Sequence, residues 1–126
     1  MGNRLSNTGR LRVCCLCAAW CRTCDGYRPV LEAVAAEFRA GDPALIVRWI
    51  DIEDESDLVG DCDIITFPTL AVLDDVGVRF FGPLTPQPET LRRQLRASLA
   101  EGTPHQSVAS EVEAFAVRLR RIGDLE

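Results

Sequence analysis

Lysine is absent from this chain, and histidine is nearly so. All 14 basic residues are arginines, which excludes chemistry through a lysine Schiff base. The single histidine, His105, argues against a cysteine–histidine protease and against a histidine-rich copper carrier. Its place in a linker between helical segments predicts a solvated side chain with no special role.

Long hydrophobic runs are also missing. The longest, over residues 13–20, is far too short to span a bilayer. The first ten residues are polar and lack the apolar core of a secretory signal. A cytoplasmic location is therefore expected, where six cysteines are more often reduced, catalytic or metal-bound than structural. The net charge of −5 argues against nucleic acid or an anionic membrane as the main partner.

The residues that are present predict one α/β domain. The 126 residues, 47% hydrophobic and 26% charged, suit a single globular unit with a real core. Apolar patterns predict strands over 11–17, 44–52, 69–73 and 78–81, the last two joined as a hairpin. Helical spacing predicts helices from about 25 to 39, a short one ending near 60, and one over 88–99. This order implies a parallel strand pair combined with an antiparallel hairpin.

A further helix is predicted at the C-terminus. Gly102-Thr103-Pro104 interrupts the chain, and apolar residues then recur at helical spacing as far as Ile122. Arginines in the last turn and Gly123 after it are typical of a helix end.

The segment Trp20-Cys21-Arg22-Thr23-Cys24 carries the strongest chemical signal. Two cysteines separated by two residues at a strand-to-helix turn can close a small disulfide, and a helix N-terminus favours the thiolate of the first. The residue after Cys24 is Asp25 rather than histidine, which argues against covalent haem attachment. A second element, Phe67-Pro68-Thr69, follows about forty residues later.

The remaining cysteines allow two alternatives. Cys14 and Cys17 precede Cys21 and Cys24 with the same spacing, but three residues between the pairs are too few to wrap two loops around zinc. Small buried residues filling a tight strand are the favoured interpretation of Cys14, Cys15 and Cys17. Strand alternation places Cys15 and Cys17 on one face, where a regulatory thiol role is the lesser alternative. Cys62 is expected to be half-buried and without a redox role.

Taken together, these features resemble the thioredoxin family over residues 11–99. The resemblance lies in the tryptophan before the first cysteine, Pro29 five residues after the second, the segment over 64–69, and Gly82 after the hairpin. It implies a thioredoxin-like fold that lacks the family's first strand and helix, with a central mixed four-stranded sheet flanked by helices. The domain would cover residues 11–100, and residues 101–126 would form a C-terminal helical extension packed on it.

The missing first helix would leave one face of the sheet uncovered, with the strand over 44–52 at an edge. Val112, Phe115 and Leu119 of the C-terminal helix are expected to cover that face. A dimer contact through the same helix is the alternative.

The resemblance also implies roles for the site residues. Cys21 would be the exposed nucleophile and Cys24 the resolving thiol, joined in a reversible disulfide. Pro68 would follow a cis bond and face that disulfide, while Trp20 and Phe67 would support the substrate.

Two departures from the family pattern stand out. Arg22 and Thr23 replace the usual Gly-Pro between the cysteines, and the Arg22 guanidinium should favour the Cys21 thiolate. The family's buried aspartate falls at Cys15.

A thiol–disulfide oxidoreductase is the function that the resemblance implies, with a role in electron transport and no bound cofactor. Its partners would be disulfide-containing proteins and a reductase or small-thiol electron donor, without nucleic acid or membrane. The alternative is a non-enzymatic binding module that uses the Trp20–Pro68 surface to hold a partner.

Overall fold

The computed structural model describes residues 10–62, 64 and 66–125, and of residues 123–125 it describes the backbone alone. Residues 1–9, on which the expectation of no secretory signal rests, lie outside these ranges. So does Ile65 of the segment over 64–69. Within the described ranges, four strands and four helices follow one another in the order β1 (Arg12–Cys17), α1 (Arg22–Gly41), β2 (Ile46–Asp51), α2 (Ser56–Val59), β3 (Thr69–Leu73), β4 (Val78–Pro83), α3 (Pro88–Leu99) and α4 (Ser110–Leu125).

The strands form one mixed sheet in the order β2-β1-β3-β4. β1 pairs in parallel with β2 and antiparallel with β3, and β4 completes the sheet antiparallel to β3. All six residues of β1 are buried, because helices cover both faces of this central strand. The predicted four-stranded mixed sheet is confirmed, and β2 lies at its edge as expected.

One face of the sheet packs against α1 and α3. Side chains alternate along a strand, so every second residue of β1 points to this face. The helices contribute residues three and four positions apart, which form one apolar stripe. The buried cluster consists of Val13, Cys15, Cys17, Cys24, Tyr27, Leu31, Val34, Leu45, Leu70, Val72, Leu91 and Leu95.

The opposite face packs against α2 and α4. Phe115 and Leu119 of α4 are 1% and 2% exposed, and they pack with Cys14 and Leu16 of β1 and with Ile50 of β2. The prediction that the C-terminal helix covers this face is therefore confirmed, and α4 continues to Leu125, past the expected stop at Gly123. The division of the chain into a domain over 11–100 and an extension stays a prediction.

An arginine of α4 fixes the end of α2. Arg118 Nε donates to the carbonyl oxygen of Leu58 at 2.7 Å, and its Nη2 donates to that of Val59 at 3.1 Å. Gly60 follows with a φ of +64°, and a Cβ there would collide with the Arg118 guanidinium. α4 thereby holds α2, and with it the start of the loop that leads to Phe67-Pro68.

His105 is exposed as expected, but its side chain also has a partner that the sequence did not predict. Its Nε2 lies 2.8 Å from Oδ2 of the fully buried Asp74, and its side chain is 35% exposed. The linker between α3 and α4 also runs beside β4, where the Gln106 N–H donates to the carbonyl of Val78. The linker is therefore bound to the hairpin by side-chain and backbone hydrogen bonds.

Candidate functional site

The turn between β1 and α1 sets the geometry around Cys21. The Cys21 N–H donates to the carbonyl of Ala18 at 3.0 Å, and the Cys24 N–H donates back to the Cys21 carbonyl at 3.1 Å. Cys21 is the N-cap residue of α1 and has extended backbone angles. Its half-buried thiol thus lies at the N-terminus of α1, where the first backbone N–H groups have no acceptor within the helix ladder. Arg22 and Thr23 are exposed in the first helical turn.

The disulfide in the structure joins Cys24 to Cys17, whereas the expected partner of Cys24 was Cys21. Cys17 ends β1 and Cys24 lies in the first turn of α1, with 5.9 Å between their Cα atoms. Both residues are 1% exposed and belong to the same core cluster. Cys21 is at the outer edge of that cluster as a free thiol. The expected bond is absent from this state because the Cys24 sulfur points into the core towards β1.

The remaining cysteines have different surroundings. Burial raises the pKa of Cys15 to about 12, and its Sγ lies 4.0 Å from Cys17 Sγ. Cys14 faces the opposite side of the sheet, and burial likewise raises its pKa to about 12. The predicted burial of the three strand cysteines is confirmed. The half-buried Cys62 donates its S–H to the carbonyl of Glu111, and burial raises its pKa.

Trp20 and Phe67 bring the two sequence elements together. Their rings meet edge to face, with 5.4 Å between centroids and an interplanar angle of 90°. The peptide bond that follows Phe67, to Pro68, is cis. Trp20 is nonetheless 64% exposed, and its Nε1–H donates to Glu53 at 3.2 Å. A large aromatic surface therefore stands open beside Cys21.

A cavity of about 430 Å³ lies beside Cys24, next to this turn. Its lining is largely acidic, with Arg28 as the basic side chain stacked 5.3 Å from the Trp49 ring. The lining residues are Ala18, Ala19, Cys24, Asp25, Arg28, Trp49, Asp51, Asp54 and Glu55.

Within the ranges that the structure describes, no group of three or more histidine, cysteine or acidic residues could hold a metal ion. Nor is any described helix both long and apolar enough to cross a membrane.

The pairing of Cys17 is the feature that the sequence interpretation missed. Strand alternation correctly placed Cys17 on the face shared with Cys15, and α1 follows β1 after a short turn. A helix that returns over this face brings its first turn above the end of the strand. That crossover is the signal that could have linked Cys17 with Cys24. The Glu53 contact of Trp20 has no comparable signal, because 33 residues separate the two.

Comparisons with known proteins identify the chain's relatives. The family model described as Thioredoxin matches residues 3–81. Thioredoxin of Coprinus comatus is 26% identical over 98 residues, which cover 78% of this chain and 90% of that protein. Protein disulfide-isomerase A4 of Bos taurus is 36% identical over 56 residues, which are 44% of this chain and only 9% of the isomerase. This chain therefore corresponds to a small part of that relative.

The fold is shared with solved structures as well. Fasciola hepatica thioredoxin superimposes with a TM-score of 0.59 at 23% identity, over 73% of this chain and 84% of the other. The expected thioredoxin-like fold with an additional C-terminal helix is thereby confirmed. Because the family model matches more than half of its residues, the chain belongs to the thioredoxin family.

Proposed function

We propose that the protein is a thiol–disulfide oxidoreductase that acts on disulfide-containing proteins. The observation that carries the proposal is the gathering of three cysteines at one strand-to-helix turn. Cys17 and Cys24 are buried and bonded, and Cys21 has a half-buried free thiol at the helix N-terminus. Such a set combines a thiol that a substrate can reach with a thiol that can resolve the adduct. Relatives named as thioredoxin and protein disulfide-isomerase support the same class of reaction.

The proposed reaction starts from the reduced protein. The Cys21 thiolate attacks one sulfur of the substrate disulfide, and the other substrate sulfur leaves as a thiolate. The Cys24 thiolate then attacks Cys21 Sγ, which forms the Cys21–Cys24 disulfide and releases the second substrate thiolate. Two electrons pass from the protein to the substrate, and the released thiolates take up two protons. A reductase or a small thiol restores the protein.

Substrate contact is assigned to the surface around Trp20, Phe67 and Pro68. The exposed Trp20 ring offers apolar area next to Cys21 in the chain, and Phe67 packs edge to face against that ring. Arg22 and Thr23 follow Cys21 in the first helical turn, and both side chains are exposed to a substrate. No cofactor takes part in this chemistry, and neither nucleic acid nor membrane is proposed as a partner. A cytoplasmic location, where thiols are kept reduced, suits this direction of exchange.

Reduction of insulin with dithiothreitol as electron donor tests the proposal. The experiment uses the Cys62→Ser variant, in which Cys21 is the one described cysteine that is not buried. We expect this variant to accelerate insulin reduction and to lose the acceleration after the native protein is alkylated with iodoacetamide. Acceleration that survives alkylation would contradict the role of Cys21. If there is no acceleration but insulin binds, the protein is a binding module.

The Trp20→Ala variant is expected to weaken insulin binding rather than chemistry. Loss of the edge-to-face contact and of the open aromatic surface should raise KM severalfold, by about 0.5–1.5 kcal/mol, while kcat changes little. Val76→Ala is the matched control, because Val76 is 68% exposed in the hairpin turn at the other end of the sheet. Steady-state kinetics separate the two parameters. An equal loss of kcat and kcat/KM in Trp20→Ala would place Trp20 in the chemical step instead.

A further inference from the structure

We propose that Cys17 is a third redox cysteine, which takes the Cys24 sulfur from Cys21 after substrate reduction and returns Cys21 as a free thiol. This inference rests on the proposed function, in that Cys21 must first react with a disulfide. It adds a second oxidised state, with the disulfide stored in the core and a reactive thiol left at the surface.

The positions of the three residues allow Cys24 to have either partner. Cys24 lies one helical turn after Cys21, and the hydrogen bond from its N–H to the Cys21 carbonyl holds the two close. On its inner side, Cys24 is bonded to Cys17. Cys21 packs at the edge of the same cluster that contains the two buried cysteines. Rotation of one side chain, that of Cys24, is therefore the main movement that the exchange requires.

The exchange conserves atoms and electrons. The Cys17 thiolate attacks Cys24 Sγ of the Cys21–Cys24 disulfide, the Cys17–Cys24 bond forms, and Cys21 leaves as a thiolate. The proton that Cys17 gives up balances the proton that Cys21 can take up from solvent. No outside oxidant is needed at this step, because the substrate disulfide has already removed two electrons from the protein.

One polar hydrogen in the core is suited to support this step. Cys15 Sγ lies 4.0 Å from Cys17 Sγ, and its raised pKa keeps it a thiol that can donate to a developing Cys17 thiolate. Cys15 and Cys17 belong to the same buried cluster as Cys24, so this donor lies within the core where the exchange takes place.

The stored disulfide changes what the oxidised protein can do. While Cys24 is bonded to Cys17, a new adduct on Cys21 cannot be resolved by Cys24. The oxidised protein should therefore hold a second disulfide substrate as a lasting mixed disulfide. A chain without Cys17 should instead stop at the Cys21–Cys24 disulfide, which leaves no free thiol at the surface of the site.

Oxidation with excess glutathione disulfide distinguishes these two end states. The full chain carrying Cys62→Ser is compared with the same chain carrying Cys17→Ser in addition, after an acid quench and intact mass measurement. We expect one glutathione per chain in the first protein and none in the second. Trypsin, which cuts after Arg12, Arg22 and Arg39 but not before Pro29, should then release peptide 13–22 joined to peptide 23–39. In the first protein the glutathione on this pair should sit on Cys21.

Absence of glutathione from both proteins, with Cys21 joined to Cys24, would overturn the role of Cys17. One glutathione per chain on both proteins would overturn it as well. Cys24 would then leave the glutathione on Cys21 in place whether or not Cys17 is present. The insulin assay keeps this result separate from the proposed function. Turnover that depends on Cys21 can persist when the glutathione counts are equal, and a correct pattern of adducts can occur in a protein that has no turnover.

Discussion

Insulin reduction by the Cys21→Ser variant is expected to fall to the rate of dithiothreitol alone. A thiolate is the attacking species in disulfide exchange, and a serine hydroxyl does not ionise near neutral pH. The other two sulfurs of the site cannot replace it, because Cys17 and Cys24 are each 1% exposed. Cys14 and Cys15 are equally buried, and burial raises the pKa of each to about 12. Cys21 is therefore the one reachable sulfur of the site, and the reaction depends on it.

Cys62→Ser is the matched control for this loss. Cys62 is also half-buried, but it lies on the opposite face, where its S–H donates to the Glu111 carbonyl at 3.1 Å. A serine hydroxyl can make the same hydrogen bond, so both fold and turnover should be kept. Circular dichroism of both variants checks the fold. Substantial turnover by folded Cys21→Ser would mean that a buried sulfur becomes reachable during the reaction.

The architecture was predictable because its signals are local. The continuous apolar run of β1 and the period of three to four residues in α1, α3 and α4 can each be detected within a short window. The role of α4 was also predictable, because Val112, Phe115 and Leu119 form an apolar stripe that needs a surface to cover. The structure shows that surface to be the face of the sheet opposite α1 and α3, to which all four strands contribute.

The sulfur pairing was less accessible to sequence interpretation because it depends on how two elements cross. Spacing along the chain makes Cys21 and Cys24 natural partners, and seven positions separate Cys17 from Cys24. The choice between them is set by which way the Cys24 side chain points, and this follows from the packing of α1 on the sheet. The exposed or buried state of each thiol likewise follows from tertiary packing.

The network around Asp74 shows the same limit for polar groups. His105 and Arg79 reach this residue from the linker and from β4. A separation of 31 positions hides the first of these contacts from any local pattern. In the sequence, Asp74 has the features of an ordinary turn residue. Its burial is evident only in the folded chain, where the linker packs on the hairpin.

Asp74→Asn is expected to destabilise the protein by about 3–5 kcal/mol, the usual cost of breaking a buried ion pair from one side. Both Asp74 oxygens act as acceptors. Oδ1 receives the N–H groups of Val76 and Gly77, each at 2.8 Å. Oδ2 receives Arg79 Nε at 2.8 Å and lies 2.8 Å from His105 Nε2. The asparagine amide must place its NH₂ against one of these donor sets, whichever way it is turned.

Asp74→Asn should change the pH dependence of the free energy of unfolding as well as its value. Burial alone would raise the pKa of Asp74, but hydrogen bonds from Arg79, Gly77 and Val76 lower it well below its ordinary value. A carboxyl with a lowered folded-state pKa stabilises the protein above its unfolded pKa, near 3.9. That stabilisation is lost as the pH falls below about 4. Urea unfolding should therefore show a steeper acid loss in the wild type than in Asp74→Asn.

Glu32→Gln provides the control for removing a carboxylate as such. Glu32 lies 3.6 Å from Arg28 with both side chains more than half exposed, so the loss of its charge should cost less than about 0.5 kcal/mol of stability.

Because Arg79 also donates to the carbonyls of Ser98 and Ala100, it should remain in place in Asp74→Asn as a buried cation that has lost the Asp74 carboxylate. A cost for Asp74→Asn as small as that of Glu32→Gln would mean that water reaches this cation. The hairpin would then be held by its strand pairing with β1 rather than by the buried charges.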